Sequence, residues 1–204
     1  QFAFDDMRIL DELTESYLIY NADLFESAGL VFLDANLPEP ALETAFKLAH
    51  KYHLPVCADP TSSTLAPHLI PYLKQIKLLA PNNIEAGILT GQPFDAADRD
   101  AALDAARQLV NHGVEMAVVT LAEFGLCYAT SETNGHIPAI RTRVVDPTGA
   151  GDALTAAIIF ALLNDIDLDD AARLGVAAAS LTLRHPGTVL PELSLEMLYD
   201  ELAL

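Results

Sequence analysis

The sequence predicts an α/β fold: a layered, mostly parallel sheet with helices on both faces and antiparallel strands in its C-terminal half. Three observations predict it. Short apolar runs of strand length alternate with longer stretches of helical period. The chain has 204 residues, of which 51% are hydrophobic, with a mean hydropathy of +0.27. That is enough for one domain spanning residues 1–204 with a sizeable core, and it argues against disorder. Finally, Asn36, Asp59, Asn82, Thr120 and Asp152 all fall at or just after proposed strand ends. In open α/β sheets, ligands gather at the carboxyl ends of the strands.

Residues 30–34 form a nearly continuous apolar run, as expected of a strand buried on both faces. A helix over 38–52 follows, with Ala41, Leu42, Ala45, Phe46, Leu48 and Ala49 supplying its apolar face. Residues 55–59 read as the next strand, 65–75 as a short helix and 77–80 as a third strand. A helix over 83–90 stops at Gly91, and one over 97–112 stops at Gly113. Its inward positions are Leu103, Ala106, Leu109 and Val110. Residues 116–120 make a strand. Residues 126–130 and 137–145 read as antiparallel strands, because their links are short and contain glycine. Two long helices, near 152–163 and 168–184, close the chain, and the alanines of the second allow close packing on a neighbour.

The formal net charge of −18 argues against a nucleic-acid groove and against binding to an anionic membrane surface. No transmembrane run or signal peptide is visible. Cys57 and Cys127 each lie in an apolar strand-like run, so both read as buried free thiols, which fits a reducing, cytoplasmic compartment. The six histidines lack zinc-binding spacing, and neither a P-loop nor a nucleophile-elbow motif occurs. The first residue is Gln1, not Met, and the expectation is a piece of a longer protein.

The most informative stretch is Asp146-Pro147-Thr148-Gly149-Ala150-Gly151-Asp152, which runs into an apolar helix. Gly149 and Gly151 let the backbone turn tightly with its N–H groups, that of Ala150 included, pointing one way. Such a nest at a helix start is a natural anion site. Asp152 stands where the positive end of the helix dipole favours a carboxylate. Its proposed act is to take a proton from a hydroxyl that attacks a phosphoryl group. The bland alternative is a turn with an Asp N-cap. Asn82-Asn83-Ile84-Glu85 follows a strand and can be either a capping arrangement or a site that organises Mg²⁺ through water.

The longer stretch resembles the D-T-x-G-A-G-D signature of the ribokinase-like (PfkB) family of carbohydrate and nucleoside kinases, with Pro147 as the one departure. Residues 82–85 match that family's N-x-x-E motif, with Asn82 near the nucleotide and Glu85 helping to organise Mg²⁺ and phosphate. Residues 118–125 resemble its V-V-T-L-G-x-x-G segment at the nucleotide phosphates and ribose. Thr120 and Gly125 are retained there, and Ala122 replaces the first glycine. Arg184-His185-Pro186-Gly187 resembles the segment that closes over adenine, which places Gly187 at the nucleotide. Asp146 and Thr148 would offer backbone oxygens to a monovalent cation such as K⁺.

The resemblance implies ATP and Mg²⁺ and a small-molecule sugar or nucleoside acceptor. Residues 33–38, 58–60 and 187–194 look most like the pseudouridine-kinase branch, which implies transfer to a 5′-hydroxyl of a ribosyl compound. The family's N-terminal part is expected upstream: the substrate-binding portion and the strand lid that often forms a dimer contact. The chain is then the nucleotide-binding and catalytic-base portion, without its lid. Two other readings stand beside this one. One is a kinase for a hydroxymethyl-pyrimidine or another vitamin alcohol. The other is a nucleotide-binding regulatory protein without turnover, a reading kept open by Ala122 and the missing N-terminal region.

Overall fold

The computed structural model describes residues 6–203. Two short helices, α1 (Glu15–Tyr20) and α2 (Ala22–Ser27), precede the first strand. Four parallel strands follow in spatial order: β1 (Val31–Asp34), β2 (Val56–Asp59), β3 (Ile76–Leu79) and β4 (Met116–Thr120). Then β5 (Leu126–Ala129) and β6 (Asn134–Ile137) add antiparallel neighbours at the far edge of the six-stranded sheet. The crossovers are α3 (Glu39–Lys51), a 3₁₀ segment (Ala66–Gln75), and the pair α4 (Asn83–Thr90) and α5 (Arg99–Asn111). After the sheet come α6 (Ala150–Leu163), α7 (Leu168–Leu183) and α8 (Leu195–Leu202).

Strand alternation divides the core into two layers. Ala58, Leu79, Ala117, Val119 and Cys127 face α3, α4 and α5, where they meet Leu42, Phe46, Leu89 and Leu109. Cys57, Leu78, Met116, Val118, Leu126 and Tyr128 face the other way, against Leu154, Ile158, Leu174 and Leu198 of α6, α7 and α8. The sheet therefore carries helices on both faces, as the apolar runs predict. α7 approaches α6 closely: a Cβ on Gly175 would lie 2.9 Å from the Ile158 side chain. Tyr128 Oη donates to Asp169 Oδ1 at 2.5 Å and pins β5 to the start of α7. Both cysteines are buried and unpaired. Among the described residues, no helix is long and apolar enough to cross a membrane.

Three expectations need correction. The final strand is not 137–145 but Asn134–Ile137, paired with β5 from Ile137↔Leu126 to Asn134↔Ala129. Pro138 has no amide to extend the ladder, so the chain leaves the sheet there. The short helix expected over 65–75 is present as a 3₁₀ segment (Ala66–Gln75) with Pro71 inside it. α6 begins at Ala150, two residues ahead of the expected start, because Gly149 in the left-handed region (φ 83°) makes the turn. The chain closes on α8, started by the Ser194 side chain accepting from Met197 N–H, and not on α7.

Candidate active site

The carboxyl ends of β1–β4 carry most of the polar residues singled out in the sequence. Asp34 and Asp59 lie side by side in register at the ends of β1 and β2. Asn82 forms a parallel bridge with Thr120, and Thr120 N–H donates to Pro81 C=O at 2.9 Å. This ties the loop after β3 to the end of β4. Asn82 Oδ1 accepts from Ile84 N–H and Glu85 N–H, while Glu85 Oε2 accepts from Asn82 N–H at 2.9 Å. The N-x-x-E segment is thus a complete capping box. It occupies one oxygen of a carboxylate that is only 5% exposed.

Beside these ends lies a cleft of about 730 Å³. One wall is the start of α4 (Asn82, Asn83, Ile84) with the turn after β4 (Thr120, Ala122, Glu123, Gly125). The chain leaving β6 contributes Ala139, Ile140, Arg141, Thr142 and Val144. Pro147, Ala150, Gly151 and Leu154 come from the start of α6, and Val176, Ala179, Ser180 and Leu183 from α7. The walls are mainly apolar. Thr142 Oγ1 is buried without a hydrogen-bond partner, which leaves an open polar contact on a lining residue.

The start of α6 differs from that of most of the helices and shares the lack of a side-chain cap with α2 and α3. Thr14, Asn82, Asp98, Asp167 and Ser194 each cap a helix with a side-chain oxygen. No side chain caps α6. The first amides of a helix have no intrahelical partner, so this end is free to meet an anion. Asp152, in the first turn and exposed, is not the N-cap; Gly149 holds that position. The Asp-capped-turn alternative is therefore not what folds here. Upstream, Asp146 Oδ1 accepts from Thr148 N–H at 2.9 Å, a local turn that holds the Asp146 carboxyl below its ordinary range.

The cleft thus brings together Asn82, Thr120, Ala122, Gly125, Ala150 and Gly151. Glu85, Asp146, Thr148, Gly149, Asp152 and Gly187 are not on its lining. Sequence reasoning missed the α7 wall and the 139–144 segment. Both read as core or strand positions, and among their lining residues only Arg141, Thr142 and Ser180 carry a polar signal.

The carboxylates near the strand ends sense one another. Burial raises the Asp59 carboxyl above its ordinary value, and the charges of Asp152 and Asp34 add to that, against the Thr61 N–H bond. Burial also raises Glu85, with a smaller push from Asp59 and an opposing pull from Asn82 N–H. Among the described residues, no group of three or more His, Cys, Asp or Glu side chains is arranged to hold a metal ion outright. A phosphate-bound divalent cation that keeps its waters fits such a set, since it needs only one or two nearby carboxylates.

Asp59 gives a test with a definite sign. A carboxyl raised in the folded state binds more protons there than in the unfolded chain between the two pKa values. Stability from this group is therefore present at low pH and lost as pH rises through the folded value. Relative to Asp59→Asn, the wild-type protein should lose melting temperature as pH rises from the ordinary carboxylate value of 3.8 toward neutrality. Parallel melting curves for the two proteins across that range would contradict the shift.

Ala122 has φ 50°, in the left-handed region where a Cβ is strained. Ala122→Gly should leave stability unchanged or raise it by about 1 kcal/mol. The strain relieved is about 1–2 kcal/mol, against roughly 0.5–1 for the freer unfolded chain. Thermal melts check this; a clear loss would mean that the methyl group packs favourably.

The sequence matches the description "pfkB family carbohydrate kinase" over residues 1–194. It is 29% identical over 194 residues to the pseudouridine kinase of Escherichia coli K12, covering 95% of this chain and 61% of that protein. It is 28% identical over 176 residues to a ribokinase of Staphylococcus aureus, covering 86% of this chain and 57% of that protein. Among solved structures, a carbohydrate kinase from Agrobacterium tumefaciens superposes with a TM-score of 0.82 at 28% identity, covering all of this chain and 64% of the other. The ribokinase of Arabidopsis thaliana, solved with ribose and ATP, superposes with a TM-score of 0.77 at 26% identity, covering 91% of this chain and 59% of the other. The chain thus spans about three fifths of the length of these relatives. With a family match that runs nearly end to end and the same α/β layering in solved kinases, the chain belongs to the PfkB family of carbohydrate kinases.

Proposed function

We propose that the complete protein is an ATP-dependent kinase for a sugar or nucleoside alcohol, and that this chain holds its nucleotide cleft and catalytic base. The observation that carries the reading is the uncapped start of α6, which opens on an apolar-walled cleft with Asp152 in its first turn. The base of ATP suits the walls formed by Ile140, Val176, Ala179 and Leu183. Its phosphates suit the free amides at Gly149, Ala150 and Gly151. Glu85 and Asp59 would hold the nucleotide's Mg²⁺ through water. The cation would supply charge neutralisation at the phosphates.

Asp152 accepts the proton of the acceptor hydroxyl as its oxygen bonds to the γ-phosphorus. The bond from that phosphorus to the β,γ-bridging oxygen breaks, and ADP leaves. The α6 amides stabilise charge on the transferred group. The likeness to pseudouridine kinase makes a ribosyl nucleoside the first acceptor to try. The backbone carbonyls of Asp146 and Thr148 are offered to K⁺, and the complete protein is expected as a homodimer.

Calorimetry with Mg-ATP on the complete protein tests the cleft, and labelled ATP with a panel of nucleosides, pentoses, hexoses and hydroxymethyl-pyrimidine tests the acceptor. Binding with transfer to a nucleoside or sugar is expected. Transfer to the pyrimidine alcohol alone would move the protein to the vitamin kinases. Binding without any transfer would support the regulatory reading, and no binding at millimolar nucleotide would overturn the site.

A further inference from the structure

We infer that Glu201, on the last turn of α8, is a positioning residue for the nucleotide site; the inference rests on the kinase reading above. Glu201 lines no part of the cleft, yet it is a carboxylate only 6% exposed. Both its oxygens are engaged at one place, the end of α7. Ser180 Oγ donates to Oε1 at 2.7 Å, and the Arg184 guanidinium pairs with Oε2.

The end of α7 is where the site is assembled. Ser180 and Leu183 line the cleft wall. Leu183 C=O accepts from Val145 N–H at 2.7 Å and from Asp146 N–H at 3.3 Å, and so holds the chain that leads into the α6 turn. Beyond Arg184 the chain turns back so closely that a Cβ on Gly149 would lie 1.9 Å from Thr188 C=O. One carboxylate on α8 therefore fixes a cleft wall and, through Arg184, the strand of chain lying on the α6 turn.

Packing alone does not call for this arrangement. The Glu201 carboxylate is buried but its Arg184 partner is 40% exposed, and a half-exposed ion pair of this kind is weak evidence for stability. What a doubly engaged carboxylate supplies is a single geometry for its partners, which a phosphate site held by backbone amides requires.

The test uses the complete protein, varying ATP and acceptor independently in steady-state kinetics, with Mg-ATP calorimetry and melting curves alongside. Glu201→Ala should raise the KM for ATP about tenfold or more while the acceptor KM stays within about twofold. Glu201→Gln keeps an acceptor for Ser180 and loses the charge toward Arg184, so it should recover part of the loss. Arg184→Met should raise the ATP KM too, and the double variant should be less than additive. A folded Glu201→Ala or Glu201→Gln protein with wild-type ATP KM overturns the inference, as does a parallel rise of both KM values. If Glu201→Ala does not fold, Glu201→Gln and Arg184→Met decide by the same criteria. A wild-type protein that fails to bind Mg-ATP overturns the kinase reading itself. Wild-type binding matched by equal binding in the variants overturns only the role of Glu201.

Discussion

Asp152→Asn in the complete protein is expected to lower turnover by about a hundredfold or more, the usual loss when a general base is removed. The substitution keeps the shape of the side chain and takes away its capacity to accept a proton. Nucleotide affinity should stay within a few-fold, because the amides of the α6 turn remain in place. Stability should change little. Asp152 is exposed and makes no capping bond, so only its favourable position at the helix dipole is lost, worth about 0.3–1 kcal/mol. A second readout is independent of turnover. The Asp152 charge is one cause of the raised Asp59 carboxyl, so the variant should bring Asp59 back toward its ordinary value and flatten that part of the pH–stability profile. Near-normal turnover would remove Asp152 from the mechanism and leave it a first-turn acidic residue.

The four parallel strands were legible in the sequence because each is a short, nearly continuous apolar run. β2, β3 and β4 are buried between two helical layers, whereas β1 lies at the sheet edge with Phe32 48% exposed instead of buried on both faces. A strand such as Met116-Ala117-Val118-Val119 has no polar face to obscure it. β6 was not legible for the opposite reason. Asn134-Gly135-His136 sits at the sheet edge, and only Ile137 is buried. The apolar residues after it, Ile140 and Val144, look like strand positions but line the cleft instead. α8 was missed because it has only eight residues in an acidic tail, and its packing against α7 comes from tertiary contacts that no local pattern shows.

The turn at Gly149–Asp152 was readable because a tight backbone turn leaves a trace in small residues. The wall that completes the cleft leaves none. Val176, Ala179 and Leu183 have the spacing of any buried helix face, and nothing local separates a residue that faces a cavity from one that faces the core. Asp59 was visible as a strand-end residue. Its coupling to Asp34 and Asp152 depends on strand register and on the placement of α6, which only the fold supplies.

Gly149→Ala is expected to damage folding and nucleotide binding together, whereas Gly151→Ala should not destabilise the protein. Both glycines belong to the same turn, but their surroundings differ. Gly149 has φ 83°, where a Cβ costs about 1–2 kcal/mol by conformation alone. The added methyl would also lie 1.9 Å from Thr188 O, 2.8 Å from Thr188 C and 3.1 Å from Thr188 Cα. These are backbone atoms and cannot swing aside like a flexible side chain. Either the α6 turn or the chain following Arg184 must move, and both belong to the proposed phosphate site. Gly151 is helical, and a Cβ there meets nothing within 4 Å. Alanine should stabilise that position by roughly 0.5–1 kcal/mol through helix propensity. Melting curves and Mg-ATP calorimetry on the two variants separate the effects. Gly149→Ala should melt lower and bind Mg-ATP at least about tenfold more weakly, an effect of the size expected when a site is displaced by an ångström. Equal melting and equal binding in both variants would show that the approach of Thr188 to Gly149 constrains neither the fold nor the site.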